Sequence, residues 1–256
     1  NALGTAAQVI LSGVAAVLVL PRYEQTGIIF KAGLLAGMVK GVLLFTFSAA
    51  DFTWDPISML LKVSVCIGGG IISGGLTLAG LFLLAQPFGL TTTFRLLELS
   101  SPNHPLLQRL LREAPGTFNH SMMVASMAEQ AAERISADDL LTRVGCYYHD
   151  IGKLMRPYFF VENQGSLSNP HDRLDPYTSA DVLMGHVRDG VKLARQYRLP
   201  DKIRAFIAEH HGTMRVSFLY RKAVEAADGE AGLVDESQFR YPGPRPRSRE
   251  TLLLML

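Results

Sequence analysis

The chain has 256 residues, of which 48% are hydrophobic, and its mean hydropathy of +0.18 is high for a soluble globular protein. A formal net charge of +2, with no basic stripe interleaved with aromatics, gives no argument for a nucleic-acid polymer as partner. Two cysteines, Cys66 in an apolar run and Cys146 beside a histidine motif, exclude a disulfide framework and a paired-cysteine metal site; both read as small buried side chains.

The hydrophobic excess lies almost wholly before residue 90. Leu3 to Leu20 is nearly all Ala, Val, Leu, Ile and Gly, long enough to cross a bilayer core of about 30 Å, and Pro21 ends it. Ile28 to Ala50 forms a second expected span, interrupted by Lys31 and Lys40. Met59 to Ala85 forms a third, rich in glycine at Gly68, Gly69, Gly70, Gly74, Gly75 and Gly80, which lets helices pack closely in lipid. Lys40 inside the second span calls for a bundle-facing or pore-facing side chain, unless the boundary lies elsewhere. Arg22 and Lys31 make the first connection basic, Asp51 to Pro56 is acidic, and Arg95, Arg109 and Arg112 follow the third span. The positive-inside rule then places residues 21–27 and everything after 90 in the cytoplasm. Residues 1–90 are thus an incomplete transmembrane region and 91–256 a cytoplasmic domain of a multi-pass cell-membrane protein, with the lipid bilayer as partner. The start at Asn1 without a leader, and the stop at Leu256 within the apolar run from Leu252, read as a piece cut at both ends.

Gln86-Pro87-Phe88-Gly89 is the expected exit from the membrane, and Leu96-Leu97-Glu98-Leu99 starts the second part. Helical periods follow over Leu106–Arg112, over Ser121–Ile135 with Met123, Met127, Ala131 and Ile135 four apart, and over Leu140–Tyr148 behind the cap Ala137-Asp138-Asp139. Pro157 to Pro176 reads as a loop, Ser179–Tyr197 and Asp201–His211 as helices divided at Pro200, and Asp228 to Arg247 as irregular. No β-alternation appears, so the expected fold is all-α: transmembrane helices followed by a helical bundle.

Six of the seven histidines fall between residues 120 and 211, and five of them, His120, His149, His186, His210 and His211, lie in or at the ends of the expected helices. His186 shares a face with Val182, Leu183, Gly190 and Leu193. His210 lies over Phe206 and Ile207, and His211 over Ile207. His120 opens a helix whose expected inner face is Val124, Met127 and Ala131, and His149-Asp150 ends another. Inward imidazoles without a cation would each need a buried partner, at a cost of about 1–3 kcal/mol when unsatisfied. A shared divalent metal uses their lone pairs instead, and imidazole with carboxylate suits borderline cations. His104 and His171 have no apolar period around them and are left out as ligands. Lys153, one short step from Asp150, would suit a phosphate oxygen.

These residues carry a resemblance. Ala114-Pro115-Gly116-Thr117, His120, Tyr148-His149-Asp150-Ile151-Gly152-Lys153, Asn169-Pro170-His171-Asp172, His186, His210-His211-Gly212-Thr213 and Phe239-Arg240-Tyr241-Pro242-Gly243-Pro244 resemble the HD superfamily of metal-dependent phosphohydrolases, and more closely its seven-transmembrane HD branch. The resemblance implies a phosphodiesterase that opens cyclic di-AMP to linear pApA at a site with two divalent metal ions, iron or manganese. Asp150 would bridge the metals. His120 and His149 would complete one side and His186, His210 and His211 the other, with Asp150 and Lys153 as the catalytic pair. Two metals so placed generate a nucleophile from water and hold the phosphoryl oxygens of an in-line displacement. A further Asp ligand expected after the last apolar run lies beyond Leu256, which puts the activity of this fragment in question. Alternatives are a nucleotide-sensing membrane receptor that does not cut, and an HD hydrolase of another nucleotide; cyclic di-GMP belongs to a branch marked by a Gly-Tyr-Pro motif that does not follow His149-Asp150 here. The implied partner is a cyclic dinucleotide, with self-association as a homo-oligomer left open.

Overall fold

A computed structural model describes residues 2–19, 26–50, 55–85, 91–166 and 168–255. All regular structure among them is helical, apart from one isolated antiparallel bridge between Arg215 and Arg240. The expected all-α class is what forms. Pro21, Arg22, Asp51, the exit motif Gln86-Pro87-Phe88-Gly89 and Leu256 lie outside the described residues. The chain divides into two compact units, residues 1–93 and 94–256.

The first unit holds α1 (Ala2–Val19), α2 (Thr26–Ala50) and α3 (Pro56–Ala85), with α2 packed against both neighbours. Gly27–Ala49 and Pro56–Leu84 are long and apolar enough to cross a membrane, while the apolar stretch of α1, Gly4–Leu18, is shorter. Where α2 meets α3, a methyl group on Gly33 or Gly70 would strike the other's backbone carbonyl, so only glycine permits this approach. The third helix starts three residues before the expected Met59, because Asp55 accepts from the Ser58 amide at 2.9 Å and Pro56 occupies the first turn. Lys40 is exposed in this unit. The expected bundle-facing position for its ammonium is therefore not supplied by the described helices.

The second unit contains α4 (Thr93–Ser100), α5 (Pro105–Glu113), α6 (Pro115–Arg134), α7 (Asp139–Tyr148), α8 (Pro176–Gln196), α9 (Asp201–Glu209), α10 (Ser217–Ala226) and α11 (Arg249–Met255). Caps fix several of these starts. Asp138 accepts from the Leu141 amide at 2.8 Å, and Asp175 accepts from the Tyr177 and Thr178 amides at 3.0 Å. Proline, disfavoured within a helix, sits in the first turn of α5, α6 and α8. The expected loop 157–176 is broken into single 3-10 turns at Pro157–Phe159, Val161–Asn163 and Pro170–Asp172.

The inner face of α6 differs from expectation. Ser121, Ala125, Ala128 and Ala132 are buried, whereas Met123 and Met127 are 68% and 63% exposed. The helix lies close along α7, so small side chains occupy the seam and the longer methionines turn outward. The main core joins Leu106, Leu107 and Leu110 of α5 to Val144 and Tyr148 of α7 and to Phe206 of α9. The Tyr148 hydroxyl donates to the Leu99 carbonyl at 2.8 Å and ties α7 to α4. A smaller core gathers Ala180, Leu219, Ala223 and Val234 around Phe239.

Candidate metal centre

Three backbone devices bring the histidines together. His149 is the C-cap of α7, so its side chain and that of Asp150 project from the helix end into the bundle. The 3-10 turn Ile151–Met155 then runs against α8. At their closest approach a methyl group on Gly152 would overlap the His186 carbonyl oxygen, so glycine is required for the turn to lie beside His186. His210 caps α9, which places it and His211 on the same point from a third side.

Asp150 sits at the middle. Its Oδ2 lies 3.2 Å from His149 Nε2 and 3.9 Å from His120 Nε2, while its Oδ1 lies 3.4 Å from His186 Nε2 and 3.6 Å from His210 Nε2. Two groups have ligand atoms close enough to share a cation: His120, His149 and Asp150, and His186, His210 and His211. Sequence reasoning named all six. His120 arrives from the sixth residue of α6, with its side chain 48% exposed; the others are buried or nearly so.

The imidazole tautomers follow from the backbone. The Nδ1 atoms of His149, His186 and His210 face the carbonyls of Cys146, Leu183 and Ile207 at 2.7, 2.5 and 3.0 Å. A carbonyl only accepts, so each Nδ1 carries the proton and each Nε2 lone pair faces Asp150. His186 Nε2 and His210 Nε2 stand 3.1 Å apart. Burial holds both imidazoles down to about 4, and burial, with the repulsion a second proton would meet beside His210, holds His211 to about 3, so all three stay neutral donors at ordinary pH. Asp150 experiences opposing effects: burial alone would raise it, but His149 and Lys153 keep its carboxyl well below the usual range. Asp150 Oδ1 is buried without a hydrogen-bond partner among the described residues. Facing lone pairs and an orphaned carboxylate oxygen are unfavourable as they stand and favourable around a cation. The donor set therefore fits divalent metal.

Lys153 is largely buried rather than solvated. Its Nζ donates to Asp150 Oδ2 at 2.8 Å and to Glu162 Oε1 at 2.7 Å. Burial would lower its pKa, yet these two carboxylates raise it above the ordinary value. Glu162 is held in turn by the Thr117 hydroxyl, which donates to Oε1 at 3.0 Å. Sequence reasoning quoted Thr117 within a motif but missed Glu162, because it lies in a stretch without periodicity. It also gave Tyr241 no role, yet that ring stacks on His211 with centroids 4.1 Å apart. His104 and His171 stand apart from both groups. His104 caps α5 by accepting from the Leu106 amide, and His171 Nε2 binds the Phe159 carbonyl at 2.9 Å.

Histidines from four helical segments around one aspartate at a helix end define a helical metal-binding domain of the kind found in phosphohydrolases. Comparison with known proteins places it more closely. Residues 117–255 match the HD domain, and residues 1–92 match the 7TM receptor with intracellular HD hydrolase. The chain belongs to the HD domain family, in its seven-transmembrane branch. It is 39% identical over 249 residues to the cyclic-di-AMP phosphodiesterase PgpH of Bacillus subtilis (strain 168), an alignment covering 96% of this chain and 34% of that protein. It is likewise 39% identical over 247 residues to PgpH of Listeria monocytogenes serotype 1/2a (strain 10403S), again covering 96% and 34%. The chain thus spans about a third of the length of these relatives. The crystal structure of the L. monocytogenes PgpH HD domain in complex with cyclic-di-AMP superposes with a TM-score of 0.57 at 46% identity, covering 61% of this chain and 71% of that one. With two helices of membrane-crossing length and apolarity, the chain is part of a membrane protein that carries an HD hydrolase domain.

Proposed function

We propose that the protein to which this chain belongs is a membrane-anchored phosphodiesterase that hydrolyses cyclic di-AMP to linear pApA at a centre of two divalent cations, iron or manganese. His120 and His149 would hold one cation and His186, His210 and His211 the other, with the Asp150 carboxylate shared between the two groups. The HD domain lies on the cytoplasmic side of a multi-pass membrane region, the orientation given by the basic residues that follow the third apolar stretch.

One observation carries this reading: the two oxygens of Asp150 face different histidine groups, Oδ2 toward His149 and Oδ1 toward His186. Divalent cations in that position supply Lewis acidity toward phosphoryl oxygens and bound water. The protein's own residues do the rest. The carbonyls of Cys146, Leu183 and Ile207 fix which imidazole nitrogen is free. Burial keeps the His186 and His210 rings neutral. Lys153 spends N–H groups on Asp150 and Glu162, which leaves a third for a phosphate oxygen of the substrate. Support for cyclic di-AMP comes from relatives named as its phosphodiesterases and from a related HD domain crystallised with it.

The test is turnover by the intact protein in detergent, loaded with manganese or iron and offered cyclic di-AMP and cyclic di-GMP in parallel. Release of pApA from the first, with little cleavage of the second, is expected. Bound metal with no hydrolysis of either would overturn the enzymatic assignment and leave a receptor.

A further inference from the structure

Three imidazoles of the centre are oriented by hydrogen bonds from Nδ1 to the carbonyl three residues back. His211 has no side-chain hydrogen bond among the described residues, although it belongs to the second histidine group. What meets it instead is Tyr241, whose ring lies nearly parallel at an interplanar angle of 22° and a centroid distance of 4.1 Å. The same phenol presents an edge to His186 at 6.2 Å and 78°.

Tyr241 is itself placed from outside the centre. Its amide donates to the Met214 carbonyl at 2.9 Å, and the Val216 amide donates to the Phe239 carbonyl at 2.8 Å. The short bridge between Arg215 and Arg240 therefore clamps the segment carrying Tyr241 beside the segment leaving His211. Phe239, fully buried in the smaller core, anchors this strap. A wall of the centre is thus set by a ring whose position depends on a separate core.

We propose that Tyr241 is a positioning residue for His211, its stacked ring fixing the imidazole plane that His149, His186 and His210 fix through backbone carbonyls. The proposal rests on the reading of His211 as part of a divalent-cation site. A stacked aromatic face does the work of an outer hydrogen bond here, restricting rotation of the imidazole about its side-chain torsion so that its lone pair stays aimed at one point.

The test uses the intact protein in detergent, with Mn²⁺ affinity read by competition with a fluorescent chelator. Tyr241→Leu is expected to weaken Mn²⁺ binding about tenfold or more, and Tyr241→Phe, which keeps the ring, to stay within about twofold of the parent. On a His211→Ala background Tyr241→Leu adds nothing. An unchanged affinity in Tyr241→Leu, an equal loss in Tyr241→Phe, or an equal loss on the His211→Ala background would each overturn the proposal. A metal-free measurement complements these: the His211 ring protons of the apoprotein shift upfield under the Tyr241 ring current, and absence of that shift overturns the stack even if Tyr241→Leu does not fold. A parent protein that shows the shift but binds no Mn²⁺ defeats the metal-site reading itself and the positioning role with it. Tight Mn²⁺ binding by a parent without the shift defeats the positioning role alone.

Discussion

His186 Nε2 and His210 Nε2 stand 3.1 Å apart, while Nδ1 of each ring is occupied by a backbone carbonyl. Two lone pairs at that separation repel, and a cation between them reverses the sign of the interaction. Stripping divalent metal should therefore lower the melting temperature of the HD unit. Saturating it to 100 times its Kd adds about 2.7 kcal/mol, which for a unit of this size is roughly 5–10 °C. Scanning fluorimetry with and without chelator reads the difference; coincident curves would show that the gap between the rings is not a metal site.

Asp150 is the only carboxylate among the residues of the two histidine groups. Asp150→Ala should release metal and abolish turnover together, because the two oxygens of this carboxylate face the two histidine groups. Asp150→Asn keeps the shape and removes the charge, and should still weaken metal binding by more than about 100-fold, beyond the range for outer-shell partners. Metal content by mass spectrometry checks both. Two cations retained by either variant would count against Asp150 as the bridge.

Much of this centre was legible in the sequence because imidazoles on apolar faces have few other uses. His186 and His210 were placed inward by periodicity, and both are buried. The failure on α6 has a physical origin. Periodicity ranks methionine above alanine and serine as a core former, but a close helix–helix approach reverses that ranking, so Ser121 and Ala125 are buried and Met127 is exposed. Helix starts were set too late wherever proline was taken as a break: Asp175 before Pro176 and Asp55 before Pro56 are cap and first turn rather than loop. Glu162 was missed, and Tyr241 was quoted within a motif but given no role, because both reach the site from segments without regular period and only the chain path brings them there.

Gly152 faces the His186 carbonyl with no room for a side chain. Gly152→Ala would push the 3-10 turn off α8 and carry Asp150 with it. The expected cost is about 1–3 kcal/mol of stability, the usual penalty for overpacking. Metal affinity should fall in the same variant, since Asp150 and His186 separate. A urea midpoint matching the parent would show that the backbone yields at this point.

Lys153 is gripped by carboxylates on two sides, so its contributions can be separated by mutation. Lys153→Ala should keep metal bound and lower kcat/KM by about 100-fold, the order of effect seen when one charge-stabilising donor is removed. Glu162→Gln should cost less, because Lys153 retains its 2.8 Å contact with Asp150. Steady-state kinetics alongside metal analysis distinguish the two. Loss of metal in Lys153→Ala would make the lysine a structural brace for Asp150 instead.

His104 provides a pH dependence remote from the metal. Its Nδ1 accepts from the Leu106 amide at 3.3 Å at the start of α5, and its ring meets Tyr148 edge-on with centroids 5.5 Å apart. Only an unprotonated Nδ1 can accept. Burial, and then the charge of Arg95, lower the pKa of His104 from its usual 6.5. The folded state thus resists a proton that the unfolded chain takes readily below 6.5. The cap's contribution is complete above that pH and is lost as pH falls through 6.5 toward the folded value. His104→Asn supplies a capping oxygen that does not titrate. The urea midpoint of His104→Asn relative to the parent should therefore rise between pH 7 and pH 5 and stay level from pH 7 to pH 8. A difference that does not move with pH would mean that the Leu106 amide finds another acceptor when His104 is protonated.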